Sequence, residues 1–402
     1  MRVVVKKGGL LLVAVMVGLL ALLLQSCQGN DPTPVATDPD MQYATPAQKD
    51  WLQLQYGMFI HFGPNTMQMK SWGNGTYPAN QLNFANTDVA QWAQTAKAAR
   101  MKYAVLTVKH HDGFCLWSSA YTDYCMKNTA SPNVDLVRRF VDEFRKVGLK
   151  VGIYYSLWDR NHPSYYDADD RKYIDYMKNQ ITELLTNYGD IVEFWFDGAW
   201  DRDYPHACQN PTLMALLGKP VLPLNDPSNQ HEICWVYSTD YRTLAASSID
   251  GQRWSWEEIY QHIHTLQPNC LVINNASMNW RGGTKYLPLD IRSVEQFDFV
   301  APPSFIPIYD DTAKYLQTDK SGKQVYLPLE FTTSITPAWF WTGDIFIHPS
   351  VEEIVGWFRT AQAQRGNFLL NVGPGFDGKI AAYHVGYLTK AGKVLTDSGE
   401  LR

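Results

Sequence analysis

Near its centre the chain reads Ile191-Val192-Glu193-Phe194-Trp195-Phe196-Asp197-Gly198-Ala199, an apolar run that ends in one carboxylate followed by glycine. Such a run is typical of a strand buried on both faces of a parallel sheet. In α/β barrels the carboxyl ends of the strands form the face that carries active sites. The alternative for Asp197 is a turn or helix-capping aspartate, since Asp-Gly is a common turn pair. Three other apolar runs end in polar side chains as well, which favours a functional Asp197.

Eight apolar runs alternate with helical patterns along the chain, which predicts βα units and a parallel sheet. Eight strands favour an α/β fold of the closed (β/α)8 TIM-like barrel type over a doubly wound sheet. Two helices are predicted to begin with capping boxes, Ser255 with Glu258 and Ser350 with Glu353. The predicted strands are 57–63, 103–111, 150–158, 191–199, 271–275, 293–300, 326–335 and 367–372.

Residues 200–251 break this alternation, because they are polar, contain prolines and show no clear period. We interpret them as an insertion after the fourth strand, either a substrate subsite or a surface excursion. The 402 residues suffice for one large barrel with such an insertion. We therefore predict a catalytic barrel over 49–402, and no C-terminal β-sandwich, because the chain ends at Arg402 soon after the last predicted strand.

The composition excludes some partners and favours others. The net charge is −5 and no basic block lies beyond the N-terminus, which argues against nucleic acid as a partner. Hydrophobic residues make up 45 % of the chain, enough for a sizeable core without disulfides. Fourteen tryptophans are a high number, and flat indole faces suit either sugar rings or a tryptophan-rich core.

The first 27 residues have a basic start and an apolar segment, 10–24, which is typical of a secretory signal peptide. The string Leu24-Gln25-Ser26-Cys27 resembles the lipobox of bacterial lipoproteins. We therefore predict that Cys27 is the lipidated first residue of the mature protein and that 28–48 is a tether. The alternative is an uncleaved anchor helix. Both predict an exported protein; the lipoprotein prediction places it in the periplasm or at the cell surface, attached to a bacterial membrane through its N-terminal lipid only.

No metal or cofactor is predicted from the cysteines. Five cysteines follow Cys27, and no two have the CxxC spacing of a zinc site. Cys208 and Cys234 flank part of the insertion and are a candidate disulfide in an oxidising compartment.

Histidines, tyrosines and a carboxylate converge on the predicted mouth of the barrel. His61 ends the first strand, His110 and His111 end the second, Tyr154 lies near the end of the third, and Asp197 ends the fourth. A metal site is disfavoured, because adjacent histidines point to opposite sides of an extended strand. Glycoside hydrolysis uses a carboxylate nucleophile and a second carboxyl as acid/base, and this set suits it better.

Six strings together resemble the catalytic domain of family 29 glycoside hydrolases, the α-L-fucosidases. The similarity runs from about residue 48 to about residue 394 and is poorer over 200–251. It implies a (β/α)8 barrel, often imperfect, that hydrolyses terminal α-L-fucose with retention and without metal. The strings are GMFIHFG, VLTVKHHDGFCLW, GIYYSLWDRN, FWFDGA, LQPNCLVINN and NFLLNVGP.

The resemblance also implies roles for single residues. Asp197 matches the family's nucleophile. Glu295, in Ser293-Val294-Glu295-Gln296, resembles the acid/base of one branch of the family, and Glu330 is the alternative, although the resemblance favours a supporting role for it. Other positions match three histidines that hold sugar hydroxyls, a tyrosine near the nucleophile, a pocket tryptophan, and an aromatic that packs on the 6-methyl group of fucose: His61, His110, His111, Tyr154, Trp72 and Trp339.

Two departures from the family pattern leave alternatives open. Ser71 stands where the family usually has a glutamate before the pocket tryptophan. Ala276 stands where an arginine often follows the Asn-Asn pair, and Arg281 is the candidate supporting residue instead. The alternatives are an α-L-galactosidase on the same scaffold and a carbohydrate-binding protein with a degenerate site. The linkage cleaved, α-1,2 or α-1,3/1,4, stays open.

Overall fold

Eight parallel strands close into one barrel in the computed structural model, which describes residues 39–167, 169–198, 254–275, 288–295, 315–336, 338–343 and 348–401. Around the barrel the order is β1-β10-β9-β6-β5-β4-β3-β2. The predicted α/β barrel is therefore confirmed. The barrel strands are β1 Tyr56–Ile60, β2 Tyr103–Lys109, β3 Lys150–Ser156, β4 Glu193–Asp197, β5 Leu271–Asn274, β6 Ile291–Glu295, β9 Leu329–Ser334 and β10 Gly366–Val372.

Eight α-helices lie in the described part of the chain, most of them between barrel strands. They are α1 Pro46–Leu52, α2 Pro64–Gln68, α3 Val89–Ala98, α4 Leu136–Lys146, α5 Asp170–Asn187, α6 Trp256–Leu266, α7 Val351–Ala363 and α8 Ala382–Asp397. Short 3-10 turns occupy Pro39–Tyr43, Ala79–Gln81, Met126–Asn128 and Pro163–Tyr166. Among the described residues, none of the helices is both long and apolar enough to cross a membrane.

One of the two predicted capping boxes forms. Ser350 accepts from the backbone N–H of Glu353, whose side chain accepts from the backbone N–H of Ser350. The other prediction is wrong: Ser255 has φ 43° and ψ 47° and caps nothing with its side chain. A side-chain cap needs an extended N-cap residue. Instead, buried Trp256 anchors the start of α6 by donating from its indole to Pro288 O at 2.7 Å.

The chain divides into two units, Met1–Gln42 and Tyr43–Arg402, and the barrel lies in the second. That unit begins before residue 49, where the sequence pattern placed its start. The reason is a capping box at Thr45 that starts α1, together with buried Gln48, whose amide donates to Asp290 O and Tyr326 O at 2.8 and 2.9 Å.

A small antiparallel hairpin, β7 Leu316–Thr318 and β8 Gln324–Tyr326, precedes β9. The sequence predicted one continuous strand over 326–335. The structure has a break at Leu327 and Pro328, because proline has no N–H to donate to a neighbouring strand.

The end of the barrel where the strands begin holds a second pair of carboxyl groups. Glu193 is the first residue of β4 and accepts from the Trp51 indole at 2.5 Å. Glu330, the second residue of β9, accepts from Tyr103 Oη and Trp195 Nε1 at 2.7 and 2.9 Å. Burial raises the pKa of both carboxyls; the charge of Glu330 raises the pKa of Glu193 further, whereas the hydrogen bond between the two carboxyls lowers the pKa of Glu330. The pair therefore shares a proton in the core.

Several predictions fall outside the described residues. These are the signal peptide with Cys27, the tether up to residue 38, the insertion 200–251 with Cys208 and Cys234, and Arg281. Within the described part of the chain, Cys115, Cys125 and Cys270 are buried free thiols.

Candidate active site

The ends of β1 to β4 bring five predicted site residues together at one mouth of the barrel. The ring of His61 lies 5.7 Å from that of His110 and 5.8 Å from that of Tyr154. His110 and His111 are 4.0 Å apart by ring centroids. Asp197 accepts from the Tyr154 hydroxyl through Oδ2 at 2.9 Å, and the same oxygen lies 3.5 Å from His111 Nε2.

The Asp197 carboxylate is held by donors on both oxygens. Besides the Tyr154 bond, Oδ1 accepts from the Gly198 backbone N–H at 2.7 Å and from Asn275 Nδ2 at 3.1 Å. Gly198 has φ +72°, and a side chain there would meet the Trp158 Cβ at 2.9 Å, so this turn requires glycine. The Asp197 side chain keeps 18 % of its surface exposed, which leaves it open to a ligand in the mouth.

Asn275 joins Asp197 to Glu295. Its Nδ2 also donates to Glu295 Oε2, so both carboxyls bond the same nitrogen. Two hydrogen bonds of ordinary length put the bonded oxygens at most about 6 Å apart. The Ser293 hydroxyl donates to Asn275 Oδ1 at 2.8 Å, which fixes the direction of the amide. The sequence placed Asn275 at a strand end but gave it no role, because an uncharged amide carries no acid–base signal.

The two carboxyls are driven into different protonation states. Burial, and then the charge of Asp197, raise the pKa of Glu295 to about 8. Burial also raises the pKa of Asp197, but the bonds from Asn275, Tyr154 and Gly198 lower it in opposition. The site near neutral pH therefore holds an anionic Asp197 beside a protonated Glu295. Two carboxyls whose environments separate their pKa values are suited to divided roles in acid–base chemistry.

The histidines contradict the prediction that adjacent residues point apart. Strand β2 ends at Lys109, so His110 and His111 lie beyond the pleat and both rings reach the mouth. Burial lowers the pKa of all three histidines, that of His61 to about 3, so they are neutral. No cluster of metal-ligating side chains occurs within the described ranges.

Trp72 forms one wall of the mouth. Its ring stands edge-to-face to His111 and Trp158, with centroids at 5.4 and 6.1 Å. The loop that follows Trp72 is held by Arg160, which donates to Gly73 O at 3.0 Å. A second bond runs from Asn161 Nδ2 to Gly75 O at 2.8 Å.

Beneath that loop lies a fully buried ion pair, Lys109 Nζ to Asp159 Oδ2 at 2.8 Å. Asp159 Oδ1 also accepts from the backbone N–H groups of Asn161 and His162, at 3.0 and 2.7 Å. The ion pair thus fixes the segment that supports the loop after Trp72.

Trp339 packs against rings that project from the end of the first strand. Its ring is 5.3 Å from His61 and 6.3 Å from Phe59. Both neighbours are rings, so Trp339 contributes to an aromatic wall of the mouth.

Glu330 is not part of this cluster. It bonds Tyr103 and Trp195 in the barrel core, whereas Glu295 shares the Asn275 amide with Asp197. Its connection with the mouth is indirect, because the Trp195 ring stacks on Tyr154 at 5.5 Å.

A model of the alpha-L-fucosidase family matches residues 76–400. The chain belongs to the alpha-L-fucosidase family. The resemblance carried by the six strings is thereby confirmed, and so is the assignment to the glycoside hydrolases.

Relatives of known sequence or structure agree with this membership. The chain is 28 % identical to Alpha-L-fucosidase 1 of Arabidopsis thaliana over 92 % of its own length and 61 % of the relative's. It is 41 % identical to Putative alpha-L-fucosidase 1 of Oryza sativa subsp. japonica, over 48 % and 38 % of the two chains. The fold is similar to alpha-L-fucosidase isoenzyme 1 from Paenibacillus thiaminolyticus, with a TM-score of 0.63, 28 % identity and coverage of 90 % and 76 %. The chain thus spans less than two thirds of these curated relatives.

Replacement of Asn275 by Ala tests the shared amide. The bond from Asn275 lowers the pKa of both Asp197 and Glu295, so its loss should raise both. The pH profile of kcat/KM on a fucoside should have an acidic limb set by ionisation of Asp197 and an alkaline limb set by ionisation of Glu295. Both limbs should then move to higher pH. The value at the optimum should fall about 10- to 100-fold, as expected for the loss of a hydrogen bond to a charged group.

Exposed Asn128, which bonds Asp123, provides a matched control. Asn128→Ala should leave both limbs in place. If both limbs of the pH profile stay in place in Asn275→Ala, the amide does not alter the pKa values of the two carboxyls.

Proposed function

We propose that this protein is a retaining exo-glycosidase that releases terminal α-L-fucose from oligosaccharides or glycoconjugates. The observation that supports this most is the pair Asp197 and Glu295 on one amide nitrogen. Retaining enzymes need their two carboxyls about 5–5.5 Å apart, and inverting enzymes about 6.5–9.5 Å. The upper bound of about 6 Å set by two hydrogen bonds favours retention.

The proposed reaction has two displacements. Asp197 attacks the anomeric carbon while the bond to the leaving oxygen breaks, and protonated Glu295 gives its proton to that oxygen. The product is a fucosyl ester of Asp197. Glu295, now ionised, then takes a proton from water, whose oxygen attacks the anomeric carbon and releases Asp197. Tyr154 steadies the attacking carboxylate through its hydrogen bond to Oδ2.

The walls of the mouth support fucose as the sugar. Three neutral histidines offer uncharged partners to sugar hydroxyls. The aromatic neighbours of Trp339, the rings of Phe59 and His61, suit a methyl group better than the additional hydroxyl of L-galactose.

Hydrolysis of an aryl α-L-fucoside by the protein without residues 1–27 is the direct test. NMR of the first product should show α-L-fucose before mutarotation, and β-L-fucose would contradict retention. Absence of turnover on aryl and natural fucosides, with sugar binding retained, would instead identify a binding protein. Faster turnover of aryl α-L-galactosides would favour the galactosidase alternative.

Replacement of Asp197 by Ala should remove the covalent step and lower kcat roughly 10³-fold or more. Azide is small enough to occupy the space left by the carboxylate. It should restore cleavage of an activated fucoside and yield β-L-fucosyl azide. If Asp197 were only a turn residue, azide would restore nothing and no fucosyl azide would form.

Replacement of Glu295 by Ala should separate substrates by their leaving group. Natural glycosides need a proton on the leaving oxygen and should lose most of their activity, whereas fucosyl fluoride and dinitrophenyl fucoside should keep fast first steps. In the unmodified enzyme, kcat/KM should fall as Glu295 ionises near pH 8, since the acid form is the active one. This alkaline limb should vanish in Glu295→Ala.

Glu330→Gln is the matched control, because it also removes a buried carboxyl from the barrel. It should retain the alkaline limb and cleave natural glycosides as the unmodified enzyme does. If Glu330→Gln lost the alkaline limb and the activity on natural glycosides while Glu295→Ala kept both, the acid/base role would move to Glu330.

Export and lipid attachment at Cys27 complete the proposal, supported by the basic start, the apolar segment and the lipobox-like string. When expressed in a bacterium that processes lipoproteins, the protein should partition with membranes and incorporate labelled palmitate. Cys27→Ala should abolish the label. Labelling that survives this change would contradict attachment at Cys27.

A further inference from the structure

Asn371, near the end of β10, makes three hydrogen bonds that link two walls of the mouth. Its Oδ1 lies 2.7 Å from His61 Nδ1. Its Nδ2 donates to Trp339 O and to Ser334 Oγ, both at 2.8 Å. The side chain is fully buried. One amide therefore contacts both the histidine and the segment that carries the tryptophan.

The orientation of this amide follows from its partners. A backbone carbonyl only accepts hydrogen bonds, so the group that faces Trp339 O is the amide nitrogen of Asn371. The amide oxygen must then face His61 and accept from it. His61 consequently carries its proton on Nδ1, and Nε2 keeps a lone pair, because burial holds the ring neutral. Within the described residues Nε2 has no hydrogen-bond partner.

The same amide sets the position of the Trp339 segment. Besides the Asn371 bond to Trp339 O, the Thr336 hydroxyl donates to Ala338 O at 2.6 Å. A side chain at Gly373 would meet Trp341 N at 2.6 Å, so the segment lies directly against the end of β10. Its backbone thus has little room to shift while Asn371 is in place.

We propose that Asn371 is a positioning residue and a determinant of specificity. It holds His61 as an acceptor through Nε2 and at the same time places Trp339 beside it. The resulting pocket accepts a hydroxyl hydrogen at one wall and an apolar carbon at the next, which selects a 6-deoxy sugar over its 6-hydroxyl analogue. This inference rests on the proposed fucosidase function.

The titratable groups that face His61 in the described structure are His110 and His111, beyond β2, and Tyr154 on β3. The two histidines are neutral, and burial raises the pKa of Tyr154 well above its usual range. Since these groups are uncharged near neutral pH, a carboxylate in place of the Asn371 amide would be the main charge that acts on the His61 ring.

Asn371→Asp is the decisive variant. Its carboxylate should raise the pKa of His61 and convert Nε2 into a donor at low pH. The KM for an aryl α-L-fucoside should rise about 10-fold or more at pH 5 and recover as the pH passes the new pKa. Loss of the bond to Trp339 O should lower the ratio of kcat/KM for α-L-fucosides over α-L-galactosides, also about 10-fold, within the range of discrimination for one small group.

Asn367→Asp is the matched control. Asn367 lies on the same strand, is equally buried, and donates to Trp51 O at the opposite end of the barrel. It should lower the melting temperature without a change in sugar selectivity or in the pH dependence of KM. The proposal is overturned if both variants behave alike, or if Asn371→Asp keeps the selectivity and pH dependence of the unmodified enzyme.

NMR of the unmodified protein tests the proposed tautomer of His61 even if Asn371→Asp fails to fold. The imidazole 15N shifts of His61, assigned by loss of the signal in His61→Gln, should show a proton on Nδ1 and none on Nε2. A proton on Nε2 would overturn the proposal. This measurement needs no substrate, so a protein that shows the expected tautomer but cleaves no fucoside would refute the proposed function alone.

Discussion

The amide of Asn275 holds together two carboxyls that would otherwise repel each other in a buried site. Like charges this close cannot both ionise at low cost, so one of the two keeps a proton. The amide bonds both, but Asp197 has further donors in Tyr154 and Gly198, and these decide which group carries the charge. The division into anion and acid therefore arises from unequal hydrogen bonding around equal chemical groups. The three histidines of the mouth are neutral and add no charge to that balance.

The opposite end of the barrel solves the same problem in a different way. Glu193 and Glu330 are also buried, but their donors are the side chains of Trp51, Tyr103 and Trp195, which fill the core. The Trp195 ring continues this packing to Tyr154, on which it stacks. Tyr154, the donor of the bond to Asp197, is thus held by the same Trp195 ring that donates to Glu330.

Much of this arrangement could be predicted from sequence, and the failures have physical reasons. The eight strands and the position of Asp197 follow from apolar runs and the residues that end them. The orientation of His110 and His111 did not follow, because alternation holds only while the strand continues, and β2 ends at Lys109. Asn275 and Asn371 lie within sequence motifs, but the residue pattern predicts no role for either. A neutral amide acts through the direction of its hydrogen bonds rather than through charge. That direction depends on partners distant in sequence, such as Trp339 for Asn371.

The choice between Glu295 and Glu330 shows most clearly what sequence lacks. Both lie on barrel strands, and both have raised pKa values from burial. The difference is one of register: in the pairing of β6 with β9, Ser293 lies opposite Glu330, and Glu295 lies opposite Thr332. Side chains on one face of a strand are two residues apart, or roughly 6.6 Å. Glu295 therefore lies one layer nearer the mouth and reaches Asn275, whereas Glu330 remains in the layer below and bonds the core. A shift of two residues in that pairing would place Glu295 opposite Glu330, in one layer, without any change in the sequence of either strand.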